Sequence, residues 1–86
     1  MEIKVKVLNE EGLHARPAGV LVKTASKFVS DIELNAEDDS ANAKSIMSIM
    51  GLGLTKNSEV TLSASGPDAK EALEELKTLF ENKFSL

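Results

Sequence analysis

Three stretches of this chain put an apolar side chain on every second residue. Ile3, Val5 and Val7 alternate with Glu2, Lys4 and Lys6. Ile32, Leu34 and Ala36 alternate with Asp31, Glu33 and Asn35, and Val60, Leu62 and Ala64 alternate with Glu59, Thr61 and Ser63. Successive side chains of a strand point to opposite faces, so each stretch reads as a strand with one buried and one wet face. Elsewhere the period changes to that of a helix. Ala18, Leu21, Val22, Ala25 and Phe28 form one apolar stripe; Ala69, Leu73, Leu76 and Phe80, with Ala72 and Leu79 beside them, form another.

These patterns predict a strand over residues 2–8, a loop over 9–12 and a helix from residue 15 or 16 to Lys27, with Pro17 at its first position. After the second strand and the polar turn Glu37-Asp38-Asp39, Ser40 to Ala43 reads as a short edge strand. Ser45 to Met50 reads as a short helix with Ser45 as its N-cap, ended by Gly51 and Gly53. Lys56-Asn57 is a tight turn in which Asn57 takes the left-handed conformation. Gly66-Pro67-Asp68 opens the last helix, with Asp68 as its cap. The order βαββαβα predicts one α+β domain over residues 1–86: a four-stranded antiparallel sheet with three helices on one face. A chain of 86 residues buries about 60% of its unfolded surface and folds alone with a modest margin.

Composition narrows the functions open to such a domain. Cysteine is absent, which removes disulfides, cysteine zinc sites and thiol chemistry and fits a reducing compartment. The single histidine, His14, cannot make a His-rich metal site, and no cofactor motif is present. The net charge of -4 argues against non-specific nucleic-acid binding, which runs on a positive surface. No apolar run approaches the roughly 20 residues that span a bilayer. The alternating start, Met1 to Leu8, holds no signal-peptide apolar region. The expectation is a cytoplasmic domain without metal, cofactor or membrane insertion.

His14 sits in the run Gly12-Leu13-His14-Ala15-Arg16-Pro17-Ala18. The helix that starts there brings unpaired N–H groups and about half a positive charge, an environment that holds phosphate. The same field disfavours a charged imidazolium and favours a neutral ring with a free lone pair, the form a nucleophile needs. Arg16 adds a permanent cation with several donors suited to phosphoryl oxygens. Gly12 lets the backbone bend. No carboxylate pair, metal cluster or phosphate loop completes a separate active site, so the residues favour a carrier of an anion over an autonomous catalyst.

Two motifs carry a resemblance. Gly12-Leu13-His14-Ala15-Arg16-Pro17-Ala18 and Lys44-Ser45-Ile46-Met47, with the length and element order, make the chain similar to the HPr family. These are the histidine-containing phosphocarriers of the bacterial phosphoenolpyruvate-dependent sugar phosphotransferase system. The resemblance implies that His14 takes phosphate on Nδ1 from phosphorylated enzyme I and passes it to enzyme IIA domains. Arg16 and the backbone amides of Ala15 and Arg16 would contact the phosphoryl oxygens, with Gly12 and Pro17 shaping the site. It also implies phosphorylation of Ser45 by an HPr kinase/phosphorylase, and with it a catabolite-control transcription regulator as a further partner. The chain is expected to act as a monomer.

Ile46, Met47, Ile49 and Met50 are either all core or split between core and a docking patch. The split is preferred, with Ile46, Met47 and Met50 facing partners, because Met adapts to several surfaces. Lys23, Lys27 and Lys44 are either solvated charges or the basic residues with which the family steers acidic partners. The chain departs from the family in three places. Ser48 and Gly51 stand in swapped order, Asn57 replaces a common glycine, and Glu11 replaces a small hydroxyl residue and is expected to point to solvent. Competing readings are a regulatory module working through phospho-Ser45, a nitrogen-branch carrier, and an acylphosphatase-like hydrolase. The retained His14 speaks against the first, and no phosphate-cradling Arg loop supports the last.

Overall fold

Each predicted alternation becomes a strand and each helical stripe a helix. In the computed structural model, which describes residues 1–85, the elements are β1 (Glu2–Lys6), α1 (Ala15–Ala25), β2 (Asp31–Asn35), β3 (Ser40–Asn42), α2 (Ile46–Gly51), β4 (Glu59–Ser65) and α3 (Ala69–Glu81). The strands form one antiparallel sheet in the order β1-β4-β2-β3. The register keeps the alternation in phase across it. Ile3 lies opposite Leu62, Val5 opposite Val60, Ile32 opposite Ala64 and Leu34 opposite Leu62, so their side chains share the inner face. Glu2, Lys4, Lys6 and Glu33 share the open face with Ser63, Thr61 and Glu59. β3 pairs only with β2 and is the short edge strand expected.

The three helices cover the inner face. α3 lies over β1 and β4, while α1 packs between α2 and α3 and α2 reaches β3. Ala18, Leu21 and Ala25 of α1 meet Ala72, Leu73, Leu76, Leu79 and Phe80 of α3 in one core, with Val22 and Phe28 packed at its margin. Beyond α3, Phe84 folds back and is fully buried, edge-on to Phe80 at 4.8 Å. No helix among the described residues is long and apolar enough to cross a membrane.

Four local details differ from the sequence reading. α1 begins at Ala15 and ends at Ala25, with Ser26 as its cap, so it stops short of Lys27 and Pro17 is its third residue rather than its first. The first four N–H groups of a helix have no partner in it, so proline costs nothing there either. Asp68 precedes α3 without capping it. Its carboxylate accepts from Ser30 Oγ and from the backbone N–H of Val29 and Ser30, the latter two at 3.0 Å. These bonds, the Ser30 hydroxyl first, hold its carboxyl below the usual range and tie the end of the first helical segment to the start of the last. Gly51 lies inside α2, and Gly53, at φ +64, is the left-handed residue that ends it. The first and last residues of several strands shift by one or two positions, the normal scatter of element ends. Asn57 does take the left-handed conformation, with φ 76.

Candidate functional site

The loop before α1 is built to hold one residue out. Asn9 is buried, and its Nδ2 donates to the Gly12 carbonyl at 2.7 Å while the Gly12 N–H donates back to the Asn9 carbonyl at 3.2 Å. Gly12 has φ +68, and a Cβ there would run into the Leu54 carbonyl oxygen. That carbonyl accepts instead from the Leu13 N–H at 3.1 Å, and Leu13 points into the core. With Leu13 turned in, His14 is turned out. It stands exposed at the N-cap of α1 in extended backbone, its ring making no capping bond. Its carbonyl accepts the first helical bond, from Ala18 at 2.9 Å. The N–H groups of Ala15 and Arg16 therefore have no partner within the helix, and Pro17 has none to offer.

Arg16 is exposed on the first turn, and both ends of its fork are engaged. Nη1 donates to the Phe84 carbonyl at 3.0 Å, and Nη2 donates to Glu11 Oε2 at 2.9 Å. Glu11 is exposed, as the sequence reading expected, but its carboxylate is folded onto Arg16, a pairing that reading did not name. The reason is proximity: the turn at Gly12 brings residue 11 alongside the first turn of the helix. The guanidinium hydrogen bond holds the Glu11 carboxyl down to about 2. The Phe84 contact depends on Lys83 and Phe84, both at positive φ (57 and 61), which reverse the chain after α3. Next to Glu11, Glu10 is paired with Lys56 at 2.6 Å.

α2 carries the second motif. Ser45 Oγ accepts from the Ser48 N–H at 3.3 Å, so the predicted cap is present, and the two hydroxyls lie 3.1 Å apart. Ile49 is fully buried, whereas Ile46, Met47 and Met50 are 42%, 81% and 39% exposed, the split preferred from the sequence. After Gly53 the chain passes directly to Leu54, the residue that pins Leu13. The segment that follows the exposed apolar patch is therefore hydrogen-bonded to the His14 loop.

The lysines are arranged less favourably for steering toward His14. Lys23 is exposed but nine residues along the helix, roughly 13 Å at 1.5 Å per residue. Lys27 lies beyond the end of α1 and pairs with Glu75 at 2.6 Å. Lys44 donates to the Phe28 carbonyl at 2.7 Å, which places its ammonium at the far end of the first helical segment. Lys27 and Lys44 thus each have a partner toward the far end of the first helical segment rather than beside His14.

The arrangement can present an anion but does not enclose one. The hollow lined by Asp31, Asn42, Lys44 and Ser63 is on the open face of the sheet and includes neither His14 nor Arg16. No group of three or more His, Cys, Asp or Glu among the described residues could hold a metal ion. Sequence reasoning missed Asn9, Leu54 and Phe84. The turn residues Asn9 and Gly12 were a readable signal for the first. Leu54 and Phe84 reach the site from distant parts of the chain and leave no local trace.

Residues 1–82 match the family model described as PTS HPr component phosphorylation site. The phosphocarrier protein HPr of Buchnera aphidicola subsp. Baizongia pistaciae is 49% identical over 72 residues, 84% of this chain and 85% of that one. HPr-C-His from Thermoanaerobacter tengcongensis superposes with a TM-score of 0.94 at 48% identity, over 98% of this chain and 94% of that chain. Crh of Bacillus subtilis, a catabolite repression protein solved as a swapped dimer, superposes with a TM-score of 0.79 at 41% identity, over 95% and 94% of the two chains. A match that takes in the His14 run, the short helix and every strand puts the chain in the HPr family, the phosphocarriers of the phosphotransferase system.

Proposed function

We propose that His14 carries the phosphoryl group, taking it from phosphorylated enzyme I and giving it to enzyme IIA domains. The observation that carries this reading is the exposed imidazole at the N-cap of α1, two residues from a guanidinium on the first turn. The lone pair on Nδ1 attacks phosphorus and an N–P bond forms. The bond from phosphorus to the donor breaks, and its electron pair returns to the donor. The N–H groups of Ala15 and Arg16, and the Arg16 fork once it leaves its present acceptors, serve the transferred oxygens. A helix end contributes about 0.3–2 kcal/mol to a nearby charge, enough to orient the group without trapping it. The reverse attack by an enzyme IIA nucleophile completes the relay, and no metal or cofactor takes part.

Ile46, Met47 and Met50 form the docking patch for both partners, with the exposed Lys23 of α1 as a steering charge, and the carrier works as a cytoplasmic monomer. Ser45 is its regulatory site, phosphorylated by an HPr kinase/phosphorylase. A phosphate there adds about -1.5 to -2 charge at pH 7 beside the patch. It repels acidic docking surfaces and offers a catabolite-control regulator a new handle. The likeness to Crh favours a second reading, a regulatory module that works through phospho-Ser45 alone.

A relay assay separates the two readings. Protein labelled by enzyme I and phosphoenolpyruvate, then purified, should lose its label to an added enzyme IIA domain. Protein that takes no label from enzyme I, or loses its label only to water, supports the regulatory module instead.

A further inference from the structure

The Glu11–Arg16 pair occupies the group that a carried phosphate would need. In the unloaded protein the guanidinium spends Nη2 on the Glu11 carboxylate and Nη1 on the Phe84 carbonyl. Both partners are acceptors, and one carries a full negative charge. Their side chains are 56% and 43% exposed, so an incoming anion reaches the pair without moving the core.

We propose that Glu11 is a resident competitor for Arg16: its carboxylate holds the guanidinium until a phosphoryl group on His14 takes its place, so that loading the carrier exchanges one anion for another. The proposal rests on His14 being the phosphoryl acceptor.

The loop makes the competition unavoidable. Gly12 and Leu13, which separate Glu11 from His14, are fixed by Asn9 and by the Leu54 carbonyl. The backbones of residues 11 and 14 are therefore held at the two ends of a rigid dipeptide. Of the cations near this loop, Lys56 already holds Glu10, and Lys83 acts on Glu10 from beyond α3. If Glu11 keeps its place, a carboxylate and a phosphoryl dianion crowd one cation and repel each other. If it leaves, an ion pair is lost. Either way the phosphohistidine is less stable than with Arg16 free, and the group is more readily passed on. Glu11 so acts as a positioning residue that sets the transfer potential through Arg16, without touching the reacting atoms.

The test is a double-mutant cycle read as the equilibrium between phosphorylated enzyme I and this carrier. Glu11→Gln keeps the length and an acceptor and removes the charge. It should raise the equilibrium constant for loading roughly two- to fivefold, the range of an exposed ion pair. In an Arg16→Gln background the same change should have clearly less effect, because the partner competed for is gone. Unchanged loading in Glu11→Gln overturns the proposal. An equal rise in both backgrounds also overturns it, since that is plain charge repulsion without competition. Failure of His14 to load in every form is a different result: it removes the carrier reading and the proposal with it.

Discussion

At Gly12 the backbone is held at φ +68 with the Leu54 carbonyl where a side chain would start. Alanine meets both a backbone penalty and a collision there. Gly12→Ala should cost about 1–3 kcal/mol in urea unfolding, and a variant as stable as the parent would contradict this account of the loop. Glu11 offers a second test at the same scale. Its folded value lies below its usual 4.5, so its pairing with Arg16 favours the folded state at any pH above the usual value. That contribution is lost as the pH falls through about 2. Followed by the NMR shift of its carboxyl carbon, Glu11 should titrate at about 2 in the parent. In Arg16→Gln it should return toward the usual range. Glu11 therefore stays ionised through physiological pH, so protonation does not release Arg16 there.

α2 shows how one short element serves both stability and recognition. Ile49, fully buried, and Met47, 81% exposed, are two residues apart on the same helix. Ile49→Ala should cost about 2–5 kcal/mol, with the spread set by how far the core collapses around the hole. Met47→Asp should leave the unfolding free energy within about 0.5 kcal/mol and slow phosphoryl acceptance from enzyme I. A large fall in melting temperature for Met47→Asp would move it from the docking patch to the core. Ser45 separates the same two properties. Ser45→Ala removes the acceptor of the Ser48 N–H and should cost about 0.5–2 kcal/mol. Ser45→Asp places a negative charge at the positive end of α2, so the fold should hold while acceptance from enzyme I slows. Acceptance at the parent's rate would sink the regulatory reading of that serine.

Across the whole molecule, what was legible in the sequence is what depends on neighbours along the chain. Alternation located β1, β2 and β4 because a two-residue period has one structural meaning at that length. Helical spacing located α1 and α3, and the Ser45 cap followed from its place before an apolar run. The resemblance to the HPr family rested on two runs of contiguous residues, and the family match extends over residues 1–82. What stayed hidden is non-local. Arg16 takes one partner five residues away and another 68 away. The pairing of Glu11 with Arg16 was hidden because nothing in the sequence states how sharply Gly12 bends. Asp68 looked like a cap because its real partners, Val29 and Ser30, come from the other side of the sheet's second strand in sequence. The partners of Lys27 and Lys44, Glu75 and the Phe28 carbonyl, were hidden for the same reason.

The fold, the loop and the patch all serve the claim that His14 is the phosphoryl acceptor. Incubation with enzyme I and phosphorus-labelled phosphoenolpyruvate tests that claim most directly. The account predicts one acid-labile, alkali-stable phosphoryl group per chain, absent from His14→Ala. Label that persists in His14→Ala, or that survives acid in the parent, would contradict it.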